Sequence, residues 1–164
     1  MNGGDILTRI EKSIEIRVPP EKVWEMLAMD RFKEWEEDME KSLKSLEYTS
    51  EVRTLKDKFK VGASGHMFIK EMGGGDFDFK VTESLENERL TYHIKKSNSD
   101  KPSATGIITL ILEPVENGTK FTYVFDYELP WSFFGKFLDK LFAKRESDKA
   151  QEKWLKKLKS ILEK

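Results

Sequence analysis

Residues 14–27 read Ile14-Glu15-Ile16-Arg17-Val18-Pro19-Pro20-Glu21-Lys22-Val23-Trp24-Glu25-Met26-Leu27, and within them the hydrophobic period changes. Ile14, Ile16 and Val18 alternate with Glu15 and Arg17, the period-two pattern of a half-buried strand. Pro19-Pro20 ends that strand, and Pro20 suits the first turn of a helix, where a missing N–H costs nothing. Val23, Trp24 and Leu27 then follow at helical spacing. Just beyond them Asp30 has the chemistry of an N-cap, opening a second short helix that carries Phe32 and Trp35.

From about Ser42 to Leu129 the pattern is strand after strand. Gly62 and Gly65 bracket the entry to a strand over Met67–Met72, and Gly73-Gly74-Gly75 turns it into the next. Phe77, Phe79 and Val81 alternate with polar residues, Glu86-Asn87-Glu88 turns the chain, and Leu90, Tyr92 and Ile94 alternate again. A polar loop from Ser97 to Pro102 leads into Ala104–Leu112. Asn117-Gly118 is a strong hairpin signal, feeding Phe121, Tyr123, Phe125 and Tyr127, all of one parity. After Pro130 the period becomes helical. Trp131, Phe134, Leu138, Leu141, Trp154, Leu155, Leu158 and Leu162 form one stripe, interrupted by a polar middle from Ala143 to Lys153.

The order is therefore strand, two short helices, five or six strands and one long helix, an α+β chain of one domain over residues 1–164, with 1–7 expected as a flexible N-terminus. A long antiparallel meander has one apolar face that needs a cover, and the last helix is the element long enough to supply it. A curved antiparallel β-sheet wrapped around a long C-terminal α-helix leaves a space between the two for a ligand.

Composition removes several classes of function. With no cysteine there is no disulfide, thiolate nucleophile or cysteine-based metal site. The 29 basic and 30 acidic residues nearly cancel, so no nucleic-acid partner is expected. Met1–Asp5 lacks the basic and apolar regions of a secretory signal, and no apolar run approaches a bilayer span, so the expected location is cytoplasmic. Residues 131–164 hold ten basic against five acidic residues, and residues 20–41 hold four against eight. The basic helix begins with Trp131, Phe133, Phe134 and Phe137, which would suit a membrane surface, although docking on the sheet is the expected role.

The run from Ile14 to Leu27, followed by Trp35, resembles the opening of the START-like, Bet v 1-like (SRPBCC) superfamily, in its polyketide cyclase/dehydrase and lipid-transport branch. The Val61-Gly62 step, the glycine-turned hairpin and the ending Leu155-Lys156-Lys157-Leu158-Lys159-Ser160-Ile161-Leu162-Glu163 resemble it too, over residues 8–163. The resemblance implies a helix-grip fold with an apolar cavity under the long helix. Its members include carriers, receptors and cyclases, so it names no reaction.

The residues themselves offer few catalytic candidates. His66 and His93 sit in strands among polar neighbours and are expected to face solvent, with no metal site. Gly73–Gly75 opens a strand instead of a helix, so it is no phosphate loop. Gly62-Ala63-Ser64-Gly65-His66 lacks the strand-to-helix setting of a nucleophile elbow, and Asn117-Gly118-Thr119 is a turn. The candidate ligand-binding set is Phe77, Phe79, Tyr92, Phe121, Tyr123, Phe125 and Tyr127 on the sheet, opposite Phe134, Leu138 and Leu141 on the helix. Filling of a solid core and lining of a cavity both fit that set. The tyrosines favour the cavity, because buried hydroxyls need partners.

Lys12 shares the parity of Ile14 and Ile16, Lys70 and Glu71 lie on a strand whose inward face the sequence does not fix, and Arg145, Asp148 and Gln151 fall near the helical stripe. These are the candidates for a polar end to the cavity. The expected function is binding of a hydrophobic or amphipathic small molecule of the lipid, isoprenoid, quinone or polyketide class, with no cofactor. The alternatives are a cyclase, aromatase or dehydratase type of enzyme, using an inward ionisable residue, and a protein-interaction module.

Overall fold

A computed structural model of the chain describes residues 6–31, 43–69, 75–97, 105–129 and 140–164. Its seven strands are β1 (Ile6–Ile16), β2 (Leu43–Tyr48), β3 (Ser64–Ile69), β4 (Gly75–Leu85), β5 (Arg89–Lys96), β6 (Thr105–Val115) and β7 (Gly118–Leu129). They form one curved antiparallel sheet in the order β1-β7-β6-β5-β4-β3-β2. From β2 to β7 each strand lies beside its successor; β1 alone crosses the chain to pair with β7, from Ile6 opposite Leu129 to Ile16 opposite Thr119. Among the described residues the helices are α1 (Pro20–Trp24), α2 (Leu55–Lys58) and the long α3 (Lys140–Leu162). This is the expected α+β helix-grip arrangement.

Local chemistry explains the boundaries. Pro20 occupies the first turn of α1 as its fixed φ predicts, and Val23 and Trp24 are buried. A 3-10 turn follows at Met29–Arg31. Phe32 and Trp35 of the expected second helix lie outside the described residues. The first strand differs from expectation at both ends. It starts at Ile6, inside the expected tail of residues 1–7, because Ile6 and Leu7 continue the ladder with Leu129 and Glu128. It stops at Ile16, and Val18 packs on the core from the connection instead.

Helix α2 is an addition to the expected elements, although its signal is in the sequence. The Thr54 Oγ1 accepts from the Asp57 N–H at 3.1 Å, and the Asp57 carboxylate accepts from the Thr54 N–H at 3.0 Å, a reciprocal capping box. These bonds and the Lys60 ammonium, the largest cause, hold the Asp57 carboxyl well below the usual range.

Two turns show how the meander is folded. Asn87 takes a left-handed φ of 63° between β4 and β5, a conformation asparagine tolerates. Between β6 and β7, Val115 pairs with Gly118, so the two turn residues are Glu116 and Asn117. Gly118 becomes the first residue of β7, at φ 149°, with its backbone against the Ile16 carbonyl and Arg17 Cα.

The core lies between the inner face of the sheet, α1 and α3. Trp154, Leu155 and Leu158 of α3 are buried there with Ile16, Val81, Leu90, Leu110 and Leu112. Among the described residues no helix is long and apolar enough to cross a membrane.

Candidate functional site

The register places every sheet residue of the candidate set on one face. Tyr127, Phe125, Tyr123 and Phe121 of β7 stand opposite Thr8, Ile10, Lys12 and Ile14 of β1 on one side. On the other side they meet Gly106, Ile108, Leu110 and Leu112 of β6. Tyr92, Phe79 and Phe77 continue the same surface across β5 and β4. On β3 the inward residues are Gly65 and Met67, which face Phe79 and Phe77, while His66 and Phe68 point outward. Lys70 and Glu71 lie outside the described residues.

Members of this face have different environments. Phe77, Phe79, Tyr92 and Phe121 are at most 1% exposed and packed into the core. The Tyr92 hydroxyl donates to the Leu27 carbonyl at 3.2 Å, pinning the segment after α1 to the sheet. Tyr48 does similar work at the other side of that segment, its hydroxyl accepting from the Met29 N–H at 3.1 Å. Tyr123 and Phe125, by contrast, are only half-buried, and Tyr127 keeps a little surface. Phe125 lies over Gly106, where a side chain on β6 would collide with its ring. Phe134 and Leu138 lie outside the described residues. Leu141 is in α3, and its side chain is likewise outside them.

Helix α3 runs alongside β1 in the same direction, and its contacts define a seam. Asp148 meets the Lys12 ammonium at 3.8 Å. Farther along, the Trp154 ring lies 5.2 Å from Tyr123 and 5.9 Å from Phe121. At the far end the Lys159 ammonium donates to the Glu15 carbonyl at 2.6 Å, and the Arg17 N–H donates to the Glu163 carboxylate at 2.8 Å. Of the three helix residues that sequence spacing puts at the seam, Asp148 and Gln151 are there and Arg145 is exposed.

Two polar atoms at this seam stand out. The Gln151 Oε1 is buried without a hydrogen-bond partner among the described residues. The Tyr123 hydroxyl also has none there, and burial pushes its phenol above the ordinary value. The Tyr123 side chain nevertheless keeps accessible surface on the inner sheet face. Burial raises Tyr127 as well, opposed by a bond with Thr8 and reinforced by the negative charge of Asp148. The half-exposed Lys12–Asp148 pair is worth under about 1 kcal/mol to the fold.

The outer face holds both histidines, as expected. His66 Nδ1 is 2.5 Å from the Asp78 carboxylate, which also accepts from the Ser97 hydroxyl at 2.7 Å. Partial burial raises the Asp78 carboxyl, but these two bonds and nearby Lys95 together bring it below the ordinary range. The His66 partner is illegible in the sequence because it comes from a cross-strand pairing. A hollow of about 610 Å³ opens on this face beside His66, Asp78, Lys80, His93 and Ile107. Another, of about 780 Å³, lies between Trp24, Leu55, Phe59 and Val61. Neither is under α3, so the candidate site rests on the seam residues and not on these hollows. Among the described residues no group of three metal-ligating side chains occurs.

A family model described as polyketide cyclase / dehydrase and lipid transport matches residues 8–163. A search of curated sequences gives no match. Among solved structures, protein MLL2253 from Mesorhizobium loti superposes with a TM-score of 0.65 at 20% identity, over 94% of this chain and 96% of that one. TTHA0849 from Thermus thermophilus gives 0.62 at 21% identity, over 96% and 97%. Ara h 8.0201 gives 0.62 at 13% identity, over 96% and 98%. At these identities the likeness concerns the fold, which is the Bet v 1-like helix grip.

Proposed function

This chain belongs to the polyketide cyclase / dehydrase and lipid transport family, and on that premise we propose that it binds a hydrophobic or amphipathic small molecule between the inner sheet face and α3. The ligand class is lipid, isoprenoid, quinone or polyketide. The observation that carries the reading is the aromatic surface left accessible on Tyr123 and Phe125 of the inner sheet face. In a chain able to bury Phe77, Phe79, Tyr92 and Phe121 fully, that surface is a binding wall. The four buried rings are the packed floor behind it.

A ligand covering roughly 300 Å² of apolar surface would gain about 7 kcal/mol before the costs of association. Native mass spectrometry of protein purified from its own host, with titration of the apolar dye 1-anilinonaphthalene-8-sulfonate, tests the reading. A retained apolar mass or dye displaced by lipids is expected. Protein that never carries a ligand and binds no apolar probe would overturn it.

One observation favours a second reading, an enzyme of cyclase or dehydratase type. Lys12 is an ionisable group on the inner face, directly opposite Tyr123. Turnover of polyketide-like substrates that survives unchanged in Lys12→Met excludes a catalytic role for that amine.

A further inference from the structure

We infer that the molecule held at the seam carries a neutral hydroxyl, bound jointly by Gln151 and Tyr123; this rests on the binding reading above. A buried acceptor without a partner among the described residues and a hydroxyl with accessible surface both belong to this seam. Buried acceptors are nearly always paired, and one left without a donor is costly, so the bare Gln151 Oε1 marks a place for a donor. Gln151 lies on α3 between Asp148, which reaches Lys12, and Trp154, which packs on Tyr123. Lys12 and Tyr123 are themselves direct cross-strand partners. The amide oxygen and the phenol therefore lie along the same seam, one from the helix and one from the sheet.

The charges select among head groups. The cation at this place, Lys12, is already matched by Asp148, so a carboxylate or phosphate gains little there. An anion would also face the Asp148 carboxylate and the lone pairs of Gln151. A cationic head would meet the Lys12 ammonium. A hydroxyl is both donor and acceptor. Its O–H donates to Gln151 Oε1, and its oxygen accepts from the Tyr123 hydroxyl, completing both groups at once.

The test uses calorimetric titration of the full chain at pH 7.5 with 1-decanol, decyl methyl ether and decanoate. The ether can accept from Tyr123 but has nothing to donate to Gln151. Decanol is expected to bind about tenfold more tightly than the ether or decanoate. Gln151→Leu brings decanol to the ether's affinity while leaving the ether unchanged, and Tyr123→Phe weakens both decanol and ether. Equal binding of decanol and ether, tighter binding of decanoate, or full decanol affinity in Gln151→Leu overturns the hydroxyl inference and leaves the binding reading standing. If none of the three probes binds, both fall.

Discussion

Replacing Tyr92 and Tyr123 by phenylalanine, one at a time, separates the structural role of Tyr92 from the binding role proposed for Tyr123 on the same sheet face. Tyr92 is fully buried, and its hydroxyl donates to the Leu27 carbonyl at 3.2 Å. Tyr92→Phe keeps the ring and its buried area, so the apolar contribution hardly changes. What is lost is one neutral hydrogen bond, and a buried carbonyl loses its donor; together these cost about 1–2 kcal/mol. With a urea m-value of about 2 kcal/mol/M, the midpoint should fall by about 0.5–1 M at unchanged m.

Tyr123→Phe removes a hydroxyl that has no partner among the described residues, so its midpoint should stay within about 0.25 M of the parent. Probe binding should respond in the opposite order, surviving Tyr92→Phe and weakening in Tyr123→Phe. Urea denaturation followed by tryptophan fluorescence, beside titration with 1-decanol, measures both. A Tyr92→Phe midpoint equal to the parent's, or a larger loss in Tyr123→Phe, refutes the assignment of structural and binding roles.

Other perturbations have defined outcomes. Gly118→Ala places a Cβ against the Ile16 carbonyl and Arg17 Cα at a φ of 149°, and should cost about 3 kcal/mol or more, a fall of roughly 10 °C in Tm by calorimetry. Leu158→Ala empties a fully buried position between α3 and the sheet and should cost about 2–5 kcal/mol, read from the urea midpoint. The folded-state pKa of Asp78 is depressed, so its stabilisation is complete above the unfolded value near 4 and is lost as pH falls through the folded value. The midpoint difference between the parent and Asp78→Asn should accordingly shrink below about pH 4; a difference that grows with acidification contradicts the sign.

The architecture is legible wherever a period recurs. Phe121, Tyr123, Phe125 and Tyr127 share one parity, and the register puts all four on the inner face. Pro20 announces α1 through its own backbone. Features that depend on another strand are not legible. The Asp78 partner of His66 lies twelve residues away and appears only when β3 and β4 pair. The inward face of β3 is likewise open in the sequence, because Met67 and Phe68 are both apolar and only the pairing with Phe77 and Asp76 separates them. The capping box at Thr54 and Asp57 is readable, but it sits inside a segment whose wider pattern is strand and turn. For the site, helical spacing points to Asp148 and Gln151. It cannot tell which tyrosine hydroxyls are already engaged, since Tyr92 is bonded to a carbonyl 65 residues away in sequence.

The crossing of β1 to β7 also sets an order of events during synthesis. Strands β2 to β7 can zip as successive hairpins while the chain emerges, each pairing soon after its second strand appears. Ile16 must wait for Thr119, and Ile6 for Leu129. At roughly 5–20 residues per second the first strand spends on the order of 5–25 s without its partner. During that interval the free flank of β1, and later of β7, is an exposed pairing edge. The helix that grips β1 follows β7 in the sequence, so the seam holding Lys12 and Tyr123 forms only after both have been made. A nascent chain stalled before residue 119 can hold most of its meander and still lack the seam between β1, β7 and α3.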